Sequence, residues 1–189
     1  MASPQLWCGG PAHVFVGLGA GNSPVYLGTS EGAPSFQITP YFNRVKNDWA
    51  GDQAPFDMQY VGQTATVSCD FTRWDNSLWL EMLSRPNFLN TPGLNAGGDL
   101  GTFMVAEGFT YPLWLQNPYA TAKTAMFGLE AGFRFLAAIS TGPDTKTLGT
   151  RTMKARMQWF CTQNFTVGPS NTVLAQLYDN NMNGLPSIT

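Results

Sequence analysis

His13 is the single histidine of the chain, and the three cysteines, Cys8, Cys69 and Cys161, stand far apart with no CxxC spacing. Those counts bound the chemistry open to this sequence. Acyl transfer by a Ser-His-Asp or Cys-His set would have to be built on His13. That residue lies in a Gly- and Pro-rich stretch, MASPQLWCGGPAHVFVGLGAGNSP, where a structural or solvated role is the simpler reading. One histidine and three scattered cysteines do not match familiar zinc spacings. Asp48, Asp52 and Asp57 crowd one loop but lack the DxDxDG order of a dedicated calcium loop. Paired carboxylates for glycoside cleavage stay open, because such partners are distant along a chain. The chain is therefore read as a non-enzyme, with no metal or organic cofactor.

HVFVGLGAGN imitates a dinucleotide-binding turn, an apolar run entering Gly17, Gly19 and Gly21. The third glycine falls one place early, with Asn22 where it is needed, and Pro24-Val25-Tyr26-Leu27 replaces the helix. A helix N-terminus is what holds the pyrophosphate, so the motif has no mechanism here.

The elements around these residues follow from periodicity. A chain of 189 residues is one domain, large enough to bury roughly 70% of its unfolded surface. From Thr64 to Thr72 the sequence alternates, with Ala65, Val67, Cys69 and Phe71 on one face, the pattern of a half-buried strand. Met58 to Val61 is expected to pair with it through a turn at Gly62-Gln63. Asp75 or Asn76 can cap a short helix that Pro86 must end. A second alternation runs from Lys123 to Ile139, with Ala125, Phe127, Leu129, Ala131, Phe133, Phe135, Ala137 and Ile139 on its apolar face and Gly128 and Gly132 opposite, where bends or close backbone contact are expected. It turns at Gly142-Pro143-Asp144, and Thr150 to Thr162 returns with Ala155, Met157, Trp159 and Cys161 pointing inward.

Shorter strands are expected at His13–Val16, at Val25–Leu27 and along Phe36, Ile38 and Phe42, with Pro40 marking an edge or bulge. The tail LAQLYDNNMNGLPSIT is expected to hold one short helical turn. The fold expected is mainly β, a β-sandwich or partly closed barrel with one short α-helix and extended arms. Residues 1–24 are read as an N-terminal arm, 25–165 as the domain with a loop excursion at 87–102, and 166–189 as a C-terminal arm. Cys69 and Cys161 both fall on apolar faces, as small buried hydrophobes; a disulfide between them is the less favoured alternative.

Charged residues make up 12% of the chain, against about 25% in ordinary domains. Two explanations stand side by side: a surface covered by partners, or a β-rich surface of Thr, Asn, Gln and Ser. The net charge of −2 argues against a dominant basic face for nucleic acid. Acidic residues gather between Asp48 and Glu81 and basic ones between Lys123 and Arg156, which permits head-to-tail pairing of copies or a match within one chain. No apolar run approaches the roughly 18 residues a membrane helix needs. No secretion signal is read, so the chain is expected to mature in a reducing cytoplasm.

The run YLGTSEGAPSFQITPYFNRVKNDWAGDQAPFDMQYVGQTATVSCDFTRWDNSLWLEML resembles tail tube proteins of long-tailed bacteriophages. The likeness is one of order: a β pair, an acidic loop with Pro-Phe-Asp character, YVGQTATVSCDFTRWD, then a short helix. It extends over roughly residues 25 to 165. The resemblance implies a β-sandwich subunit that forms hexameric rings, stacked into a tube through which DNA passes without being gripped. It implies as partners other copies of the chain and other virion structural proteins, with only transient contact to DNA, no membrane, and a place in the virion after assembly in the host cytoplasm. The interface is expected around the loop Arg44 to Asp57, with Trp49 and Phe56 as apolar anchors and Asp48, Asp52 and Asp57 meeting basic groups such as Lys154 and Arg156 of a neighbour. The alternatives are a capsid decoration or head-tail connector protein, and a ligand-binding β-domain or enzyme.

Overall fold

The computed structural model describes residues 11–45, 57–84, 110–116, 130–141, 145–148, 153–163 and 174–179. Its centre is the long strand β4 (Asp57–Trp74), paired antiparallel with β8 (Met153–Thr162) over residues 64–71 and 155–162. Both strands alternate, and their apolar positions meet across the ladder: Val67 faces Trp159, Cys69 faces Met157 and Ala65 faces Cys161. All six are buried, as are Phe71 and Ala155 at the end of the pairing. Cross-strand apolar pairs of this kind are the stabilising unit of a sheet.

The other strands are β1 (His13–Val16), β2 (Val25–Ser30), β3 (Ser35–Val45), β5 (Tyr111–Gln116), β6 (Glu130–Ser140), β7 (Thr145–Leu148) and β9 (Ala175–Asp179). All pairings are antiparallel. They run from β1 to β2, β4, β8, β6 and β5 and back to β1, so the sheet closes on itself as a ring. The expected mainly β fold is what the structure has. Val14, Val16, Leu27, Leu113, Leu115 and Phe135 fill the inside together with the β4–β8 row. The indole of Trp159 donates to the Tyr111 hydroxyl at 3.2 Å, which satisfies two polar atoms in an apolar core.

Helix α1 (Asn76–Ser84) starts where Asp75 accepts backbone N–H bonds from Ser77 at 2.8 Å and Leu78 at 3.1 Å. Asp75 is thus the cap. Met82 is buried, and Leu78, Trp79 and Trp74 pack against the core, so the helix is held by the sheet rather than by propensity.

Several expectations give way. Gly62-Gln63 is no turn: β4 runs through it, and a bulge there leaves Val61 opposite no partner between Tyr60 and Gly62. Extra residues in a ladder bend a strand without ending it. Ala137 and Ile139 are buried as expected, but the register of β6 slips after Phe135 and Ala138 is buried as well. The slip lies opposite Pro112, which has no N–H to give to the ladder. The β6–β8 hairpin is shorter than expected, because β7 takes residues 153–156 of β8 and leaves only 159–162 to β6. In the tail, residues 175–179 form β9 on the edge of β6, not a helical turn. The short strand expected at His13–Val16 is present as β1, and it lies between β2 and β5 with Val14, Phe15 and Val16 buried. Of the bends or close contacts expected at the two glycines, Gly132 makes a close contact, since a Cβ there would overlap the Leu115 carbonyl, and Gly128 lies outside the described residues.

Candidate interaction surface

Beyond Thr64, β4 loses β8 and, among the described residues, keeps only β3, so residues 57–63 and their partners in β3 form a two-stranded ribbon leaving the sheet body. At about 3.4 Å per residue this extension is about 24 Å long. Its sequence still alternates. Phe36 lies opposite Val67 and packs on Phe133 and Phe135, and Ile38 lies opposite buried Ala65. On the same face farther out, Phe42 meets Tyr60 edge-on at 5.7 Å, and Arg44 lies opposite Met58. The core-facing side of the sheet therefore continues onto the ribbon, where its large side chains stand about half exposed. Ile38, Phe42, Met58, Tyr60 and the bulged Val61 are 44–58% exposed.

The opposite face carries Gln37, Thr39, Asn43 and Gln59, with Tyr41 as its one large ring, 3.1 Å from Thr64 Oγ1 through its hydroxyl. An isolated two-stranded ribbon is marginal in water, and this one also leaves an apolar face wet.

The expected interface residues divide into two groups. Arg44 and Asp57 are exposed at the outer end of the ribbon, where the Asp57 carboxylate accepts the Met58 N–H at 2.7 Å. Asp48, Trp49, Asp52 and Phe56 lie outside the described residues. Lys154 and Arg156 lie near the other end of β4, which faces Arg156 at Asp70. Both meet carboxylates of their own chain, Lys154 with Glu31 at 2.7 Å and Arg156 with Asp70 at 3.4 Å. All four side chains are largely in water, so each pair adds little stability and is easily exchanged. Sequence reasoning placed an interface in the Arg44–Asp57 loop and did not single out the exposed apolar face of the ribbon, whose signal is the apolar alternation of Ile38 and Phe42 against Tyr60 and Met58.

Among the described residues, His13, Cys69 and Cys161 have defined settings, and Cys8 lies outside them. His13 Nδ1 lies 2.8 Å from Thr29 Oγ1 and its ring stands edge-on to Tyr26, while burial lowers its pKa. The glycine turn after β1 leads through a single 3₁₀ turn, Ala20–Asn22, into β2 rather than into a helix. Cys69 and Cys161 are free thiols, four register positions apart along β4, too far for a bond. Burial raises both pKa values, that of Cys161 to about 12, with the Asp70 charge adding to the rise at Cys69. Among the described residues, no three His, Cys, Asp or Glu side chains come together as a metal site, and no helix is long and apolar enough to cross a membrane. No known protein-family model matches the chain, and no curated protein matches it significantly.

Proposed function

We propose that this protein is a structural subunit that assembles with copies of itself through the β3–β4 ribbon, and that its place is the tail tube of a long-tailed phage. The assembly half of this reading rests on one observation: the core-facing side of the sheet runs out onto a ribbon whose apolar side chains stand half in water. A contiguous exposed apolar strip on an otherwise well-filled fold marks a surface that is covered in use. The occupant is a second copy of the chain. A flat ribbon about 24 Å by 10 Å offers about 240 Å² on one face, far below the roughly 800 Å² per partner of a stable two-body interface. Such a contact is one of several per copy, as in a ring or stack, not the whole of a dimer. The ribbon end and the Lys154–Arg156 end are separated along β4 by Met58 to Asp70, which suits a head-to-tail arrangement.

The finer assignment comes from the sequence resemblance. In that role the subunit surrounds DNA without gripping it, in keeping with a net charge of −2 and only 10 basic residues. Electron microscopy of the purified protein across a concentration series tests both levels. Tubes or sixfold rings are expected. Threefold or fivefold clusters would turn the assignment to a capsid decoration or connector protein, and a monomer at every concentration would end the assembly reading.

A further inference from the structure

The ribbon leaves the sheet body at one place, and a buried polar side chain stands there. β8 ends at Thr162, opposite Thr64, and Gln163 follows with 5% of its surface exposed. Its Nε2 donates to the Tyr60 hydroxyl at 3.2 Å, so a residue of the body holds a residue of the ribbon past the last rung of the β4–β8 ladder. The Val61 bulge and Gly62 lie beside this contact. A Cβ on Gly62 would come within 2.9 Å of Gln163 Oε1, so the glycine leaves the room in which the amide sits.

We propose that Gln163 is a positioning residue, a latch on Tyr60 that sets the angle at which the ribbon leaves the body, so that the subunit meets its neighbour with a preset arm. This rests on the reading of the ribbon as the assembly surface. The physical case has two parts. A buried amide is costly without partners, so Gln163 and Tyr60 hold each other once the core has closed. A bulge is also where a ladder bends most easily, and an arm free to swing there would lose that freedom on docking and bind more weakly.

The test uses the full chain at a concentration where it is unassembled, with Tyr60→Phe, Gln163→Leu and the double variant. Tyr60→Phe keeps the ring against Phe42 and removes only the hydroxyl, on an exposed residue whose change leaves the fold intact. Amide hydrogen exchange is read at 41–44 and 57–61, with 65–71 as the internal reference. Loss of one hydrogen bond should speed ribbon exchange about fivefold and leave the reference unmoved. The double variant should match the singles, because both remove the same bond. Unchanged ribbon exchange in Tyr60→Phe, or effects that multiply in the double variant, would overturn the latch. So would a fast-exchanging variant that assembles at the wild-type concentration. A wild-type chain that never assembles refutes the assembly reading instead, and leaves the exchange result standing.

Discussion

Replacing Phe42 and Met58 together by serine is the most direct perturbation of the ribbon. The two side chains are 51% and 58% exposed and lie on the apolar face. Full burial of such a side chain is worth about 1.5–3 kcal/mol, so the half still in water has about 1 kcal/mol left to gain in a contact. Losing both removes about 2 kcal/mol per contact, roughly a 30-fold weaker association. The folded subunit loses the halves already buried, about 1 kcal/mol each, and the edge-on contact of Phe42 with Tyr60, about 0.5–1.5 kcal/mol, at a site remote from the filled interior. Sedimentation velocity over a dilution series measures the concentration at which assemblies appear, and circular dichroism checks the fold. A rise of roughly tenfold or more in that concentration, in a double variant that is still cooperatively folded, is the expected result. A shift under about threefold in a folded double variant would refute the argument, because the area exposed here would then be exposed in the assembly too.

Two further outcomes follow from local geometry. Asp75→Ala removes the cap that accepts the Ser77 and Leu78 N–H groups, and should cost about 1 kcal/mol of stability in denaturant unfolding. Cys69 and Cys161 should stay unmodified by a thiol reagent in the folded protein and react once it is unfolded, as peptide mapping would show. Their raised pKa values carry a pH signature. Between the ordinary thiol value of 9.0 and about 12 at Cys161 the unfolded chain has lost a proton that the folded chain keeps. Stability should therefore be complete below pH 9 and fall above it, by up to about 1.4 kcal/mol per pH unit for each thiol. Cys161→Ser, whose hydroxyl does not titrate in this range, should flatten that slope.

How much of this protein its sequence determined can be seen strand by strand. Alternation at period two placed Ala65 to Phe71 and Ala155 to Cys161 on inward faces before any coordinate was known, and the structure buries every one of them. The cap at Asp75 was legible for the same reason, since a carboxylate two and three residues before unpaired N–H groups is a local arrangement. What is local in the chain is written in residue order. The partner of each strand is not, and it decided the rest. Residues 175–179 became a strand because the edge of β6 was there to receive them, and β1 became central because β2 and β5 flank it. The burial of Ala138 out of alternation accompanies a register slip opposite a proline in a different strand. The ribbon shows the division most plainly. Phe42, Tyr60 and Met58 lie on the core-facing side of the β3–β4 ladder, and they stand half exposed beyond the point at which β8 ends. Burial depends on what lies across the ladder, and that is a property of the closed sheet rather than of any one stretch of sequence.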